Sequence, residues 1–148
     1  MEVVHKPSLS NLPLQVALHY NTLYSVMYLV IQGAISLHKA IFFEKYLGIV
    51  LLALFLIMEP FRIYFGMKGN LKETVPDSAT FLLITLFPQT AIVAYMAYFQ
   101  PFMFPADYIS GTILLLFLLF EFVMGIVSIK TLIAAQTAQF MRLCEEEY

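Results

Sequence analysis

Three ionisable side chains lie inside otherwise apolar sequence: Glu59 and Arg62 in "LFLIMEPFRIYFG", and Glu121 in "LLLFLLFEFVMGIV". Carboxylates at such positions either move protons and ions across a membrane or form structural ion pairs, because an isolated charge in hydrocarbon costs at least about 2.5 to 3.5 kcal/mol. Arg62 lies one helical turn beyond Glu59, so it can pair with that acid at i,i+3 while its stem follows the helix. Pro60, between them, withdraws a backbone donor and can bend the turn. Glu121 has no local partner. It must be protonated, reach Arg62 across the bundle, or hydrogen-bond to polar residues such as Gln32 or Gln89.

Other chemistry finds no support in the sequence. His19 lies close to the start of the first apolar segment and His38 beyond its other end, without a second His, Cys or acid at ligand spacing, so no metal site is predicted. G-x-S-x-G and H-E-x-x-H are absent, and "GMKGN" lacks the spacing of a phosphate-binding loop. No cofactor and no enzymatic activity are expected. "GMKGN" reads instead as a helix stop, with Gly66 or Gly69 in the left-handed conformation at the C-cap and Lys68 facing the negative end of the helix dipole.

The elements that hold these charges are membrane helices. Of 148 residues, 61% are apolar and 12% charged, against roughly 25% charged in soluble domains, and the mean hydropathy is +0.82. The net charge is -2, with 8 Lys and Arg in no basic run, which leaves nucleic acid no electrostatic footprint. A spanning helix needs about 20 mostly apolar residues. Four segments meet that need: Leu14–Leu37, Phe43–Phe65, Ser78–Phe99 and Tyr108–Ile129, followed by a tail over 130–148. The predicted fold is an all-α integral membrane protein, a four-transmembrane-helix bundle formed as two helical hairpins. The first segment is too long for the core of a cleavable signal and is expected to be retained. Lys6, Arg62, Lys68, Lys72, Lys130 and Arg142 fall on one side, and Lys39 and Lys45 on the other, which predicts cytosolic termini and a cytosolic loop from Gly66 to Asp77. Cys144 is expected to be a free thiol, with lipidation the alternative. The three acids closing the chain oppose the helix dipole, so the helix is expected to fray there.

Lipid is as apolar as leucine, so small and polar residues mark the packed faces. At helical spacing the first span aligns Asn21, Ser25, Tyr28, Gln32 and Ser36. The second aligns Gly48, Glu59, Arg62 and Gly66; the third Ser78, Thr85 and Gln89; the fourth Ser110, Glu121, Gly125 and Ser128. These seams either meet one another in the core or receive another membrane subunit. "LFLIME" and "LFLLFE" also echo each other, placing Glu59 and Glu121 at similar depth.

The stretch "EPFRIYFGMKGNLKETVP", Glu59 to Pro76, resembles the small ciliary family that includes transmembrane proteins 17, 80 and 216. It repeats that family's acid, arginine, aromatic-glycine pair and K-G-N-L turn after the second span. "PLQVALHYNTLYSVMYL", Pro13 to Leu29, and Glu121 extend the resemblance across about Pro13 to Lys130. "KETVP" points to the transmembrane protein 17 branch and Glu121 to the transmembrane protein 216 branch.

The resemblance implies a non-catalytic tetraspan subunit of the ciliary transition zone. Its partners would be tectonic-type and Meckel-type membrane proteins, and its role ciliogenesis and control of ciliary membrane protein composition. On that reading Glu59 and Arg62 lock the second helix. Glu121 fixes bundle register, with Asn21, Gln32 and Gln89 as polar packing residues. The turn formed by Gly66, Lys68, Gly69, Asn70 and Lys72 presents its lysines to anionic lipid or a cytosolic partner. A small ion or proton conductor using Glu59 and Glu121 is the alternative, and a membrane chaperone or trafficking adaptor a third class.

Overall fold

In hydrocarbon every backbone polar group must be satisfied within the segment, so apolar stretches of this length fold as helices. A computed structural model describes residues 8–146. Four helices are long and apolar enough to span a membrane: α1 (Leu12–Phe43), α2 (Leu47–Leu71), α3 (Val75–Phe99) and α4 (Pro105–Glu146). The chain is an all-α integral membrane bundle. α4 stays helical through Glu146, so Glu145 lies within the helix; Glu147, Tyr148 and Lys6 lie outside the described residues.

The helices form a ring in which α1 packs on α2 and α4, and α3 packs on α2 and α4. Successive helices alternate in direction. The α2–α3 turn therefore shares one end of the bundle, here called proximal, with residues 8–11, and the α1–α2 and α3–α4 turns share the distal end. Along the axis the interior is layered. A distal apolar layer holds Tyr28, Phe55, Met96, Leu114 and Leu118, and a proximal one holds Leu14, Leu18 and Phe81. The polar seam residues Ser25, Glu59, Arg62, Gln89 and Glu121 are buried between them. Outward faces carry Leu, Val, Ile and Phe side chains such as Leu116, Val30 and Phe61, all more than half exposed. This is the inside-out pattern of a protein whose solvent is lipid.

The α2–α3 connection corrects the expected loop. α2 continues through Gly66, Lys68, Gly69 and Asn70 to Leu71, leaving a turn of Lys72, Glu73 and Thr74. No described glycine has positive φ; the left-handed residue is Glu73, at φ 55°. The two glycines serve close approach instead. A Cβ on Gly69 would lie 2.6 Å from the Ser78 backbone nitrogen, and one on Gly66 2.8 Å from the Phe81 ring. Asn70 is buried because its amide pairs with the Asn11 backbone in both directions, accepting from Asn11 N at 2.7 Å and donating to Asn11 O at 2.9 Å. Glu73 accepts from Leu9 N at 2.7 Å, which ties the entry of α1 to the same turn.

α3 is not a regular helix. At Phe87 the backbone is extended (φ -151°, ψ 127°) ahead of Pro88, which has no N–H to continue the ladder. Wider turns occupy Thr85–Gln89 and Tyr95–Phe99. The hydroxyl of Thr90 donates to Thr85 O at 2.6 Å, and that of Thr85 to Phe81 O at 2.8 Å. Threonine side chains thereby satisfy carbonyls around a break at membrane depth.

Candidate functional site

The residues singled out by charge converge on one cluster that joins all four helices. Arg62, fully enclosed, presents the edge of its guanidinium to Glu59 as a fork: Nε to Oε2 at 2.8 Å and Nη2 to Oε1 at 2.7 Å. Its Nη1 donates to Glu121 Oε2 on the diagonally opposite helix. Ser25 of α1 donates to Glu59 Oε1 at 2.6 Å, and Gln89 of α3 donates to Glu59 Oε2 at 2.7 Å. The Phe81 ring lies under the cation, 5.7 Å from the guanidinium carbon. Bidentate, charge-assisted pairing of this kind is the strong form of the hydrogen bond. It offsets a desolvation cost that neither acid nor the arginine can meet alone.

Of the options for Glu121, the structure selects Arg62. Gln32 lies a layer further out and donates to Ser110 Oγ at 3.1 Å, while Gln89 serves Glu59. Asn21 sits beside the cluster, with its Oδ1 3.4 Å from the Ser25 hydroxyl. Its Nδ2 and the second oxygen of Glu121 are buried without hydrogen-bond partners. Gly66 and Gly69 belong to the α2–α3 contact, and Asn70 to the proximal cap. Lys68 pairs with Asp77 at 3.1 Å, with about a third of its side chain exposed. Lys72 is exposed at the turn.

A second charged site went unread in the sequence. Lys39, assigned there to a loop, is buried in the last turns of α1. It donates to Asp107 Oδ2 at 2.6 Å and to Gln100 Oε1 at 2.7 Å, with the Phe104 ring 5.4 Å away. Asp107 Oδ2 also accepts from Phe104 N at 2.8 Å, the backward half of a capping box that starts α4. The seam spacing held the clue: Lys39 continues the Gln32–Ser36 face, and Asp107 lies one turn before Ser110 on the face of Glu121.

The comparisons agree with this architecture. A family described as "Predicted membrane protein" matches residues 16–118. Transmembrane protein 216 of Danio rerio is 29% identical over 131 residues, covering 84% of this chain and 81% of that protein. Transmembrane protein 17B of Danio rerio is 26% identical over 140 residues, with 92% and 73% covered. Transmembrane protein 17 of Homo sapiens is 27% identical over 136 residues, with 88% and 68% covered. No solved structure matches. The matched segment contains Glu59, Arg62, Gln89 and Lys39 with Asp107, and the chain belongs to the transmembrane protein 17 family of multi-pass membrane proteins.

Proposed function

We propose that this chain is a non-catalytic subunit of a membrane complex at the ciliary transition zone. There it assembles laterally with tectonic-type and Meckel-type proteins, supports ciliogenesis and limits which membrane proteins enter the cilium. Both termini are cytosolic on this reading, and the turn at Lys72 faces anionic lipid or a cytosolic partner. The observation that carries the reading is the charge cluster: ion pairs join α2 to α4, and Ser25 of α1 and Gln89 of α3 hydrogen-bond to Glu59, so the polar groups of all four helices bind one another between two apolar layers and the outward faces are left for partners. Family membership supplies the expectation of where such a bundle works. A conductor is the weaker reading, because Arg62 stands between Glu59 and Glu121, and the layers of Tyr28, Phe55 and Met96 and of Leu14, Leu18 and Phe81 close the axis on both sides.

The test is proximity labelling and imaging of the tagged chain in ciliated cells. A focused signal at the ciliary base with tectonic-type neighbours is expected. A diffuse signal on another membrane would overturn the proposal, and flux measurements on Glu121→Gln in vesicles would then decide between the remaining classes.

A further inference from the structure

The cluster that joins the four helices contains more acids than cations. Glu59 and Glu121 both bind Arg62, and Lys39, the other enclosed cation, is taken by Asp107. With both acids ionised, one negative charge would be left over among side chains no more than 4% exposed. Burying an unpaired charge is costly enough that a carboxyl in that position takes up a proton instead.

Hydrogen-bonding capacity decides which acid holds it. A carboxylate only accepts, whereas a protonated carboxyl also needs an acceptor for its O–H. Glu59 receives four donors, two on each oxygen: Arg62 Nη2 and the Ser25 hydroxyl on Oε1, Arg62 Nε and Gln89 Nε2 on Oε2. No room for a proton is left there. Glu121 accepts from Arg62 Nη1 on Oε2, and its Oε1 is buried with nothing bonded to it.

Asn21 supplies the acceptor. Its amide faces the Glu121 carboxyl from α1, and its Oδ1 is 3.4 Å from the Ser25 hydroxyl. That hydroxyl has one proton to give, and Glu59 Oε1 takes it at 2.6 Å. Two oxygens without a proton between them then face each other at Ser25, while Asn21 Nδ2 is buried without an acceptor. A half turn of the amide exchanges its two ends. Nδ2 then donates to Ser25 Oγ, and Oδ1 meets Glu121 Oε1, where a proton on the acid joins the two oxygens. Among the described residues, the charged groups acting on Glu121 are Arg62 and Glu59 of α2, with none from α1 or α3. One rotation and one proton satisfy both unpartnered atoms and bring the cluster to zero net charge.

We propose that Glu121 is a proton-binding site: Oε1 carries a proton that it donates to Asn21 Oδ1, while Oε2 continues to accept from Arg62 Nη1. Proton uptake turns the Arg62–Glu121 ion pair into a hydrogen bond between a cation and a neutral acid, and leaves Arg62–Glu59 as the ion pair of the cluster.

The test is infrared spectroscopy of the full chain at neutral pH in a detergent free of ester groups, where exposed Asp and Glu are ionised and a protonated carboxyl has its own C=O band. The wild type should show the band of one carboxyl per chain. Glu121→Gln, a neutral amide of the same shape, should lose it completely. Asn21→Leu removes the acceptor of the O–H and should move the band to higher frequency or abolish it, whereas Gln89→Met, which takes a donor from Glu59, should leave it in place. A band that responds to Gln89→Met and not to Asn21→Leu would put the proton on Glu59 and overturn the site. A band that survives Glu121→Gln would belong to another acid and overturn it too. If Asn21→Leu does not fold, the wild-type spectrum still decides, because no acid band there means that both acids are ionised.

Discussion

The bundle contains two buried cationic sites of similar composition and different depth. At the middle of the bundle, Arg62 meets two carboxylates and an aromatic ring; at the distal end, Lys39 meets one carboxylate, one amide oxygen and an aromatic ring. The choice of cation follows the setting. Guanidinium has five donors in a fixed fork and suits a site where each acid must be held at set geometry. Ammonium is a point charge on a flexible stem and suits a helix end, where Asp107 is also held by a backbone N–H. The difference teaches that burial by itself does not rank these sites; the number of charges left behind and the distance to water do.

The largest expected effect is on Arg62. Arg62→Met leaves Glu59 and Glu121 enclosed without a cation, and breaking a buried pair in this way costs about 3 to 5 kcal/mol, a large share of the 5 to 15 kcal/mol typical of a folded protein. Thermal unfolding in detergent should show little folded protein. Adding Glu59→Gln and Glu121→Gln should restore most of it, because the stranded charges are gone. Wild-type stability in Arg62→Met alone would mean that the cluster does not hold the helices.

Lys39→Met should cost less, about 1 to 3 kcal/mol, because Asp107 retains the Phe104 N–H and lies near the distal end of the bundle. If chemical denaturation of the two variants gave equal losses, the ordering by depth would be broken. A larger loss for Lys39→Met would reverse it.

The contrast also explains what was legible in the sequence. Asn21, Ser25, Gln32, Glu59, Arg62 and Glu121 stood out because each interrupts apolar sequence at helical spacing, and all are buried. Lys39 did not stand out, because a lysine at the end of an apolar run looks like an interfacial anchor. Its burial depends on Asp107 and Gln100, far away in the chain. Gly66 and Gly69 were misread for a related reason: glycine marks both helix ends and close helix contacts, and the partner that selects the second role, the Ser78 backbone, is set by tertiary packing. The break at Pro88 was missed, although a proline within a span withdraws a ladder donor. What it positions, Gln89 against Glu59, depends on two helices.

Helix contacts at the two ends provide a finer comparison. A Cβ on Gly69 would meet Ser78 N at 2.6 Å proximally, and one on Gly111 would meet the Ala97 Cβ at 2.5 Å distally. Neither neighbour can move without its backbone, so Gly69→Ala and Gly111→Ala should each cost about 1 to 3 kcal/mol by overpacking. Gly125→Ala meets the flexible end of Leu82 at 2.7 Å and should lower the melting temperature less than either. A melting series of the three variants ranks them, and a Gly125→Ala loss equal to the others would show that side-chain flexibility does not govern the contact.

The smallest expected effect isolates burial with the chemistry held nearly constant. Lys68–Asp77 and Lys39–Asp107 are both lysine–aspartate pairs, but the first is 3.1 Å long with the lysine side chain 32% exposed, and the second 2.6 Å long with the lysine side chain 4% exposed. At Asp77 the Thr74 hydroxyl already donates to the carboxylate at 2.7 Å, and water can take the place of the ammonium. Exposed pairs of this kind contribute little, so Lys68→Ala should leave the unfolding midpoint within error in low and high salt alike. Lys39 and Asp107 should show a clear coupling in a double-mutant cycle. A measurable, salt-sensitive loss in Lys68→Ala would mean that the proximal pair is withdrawn from water in the bilayer, and would place it with the buried pair.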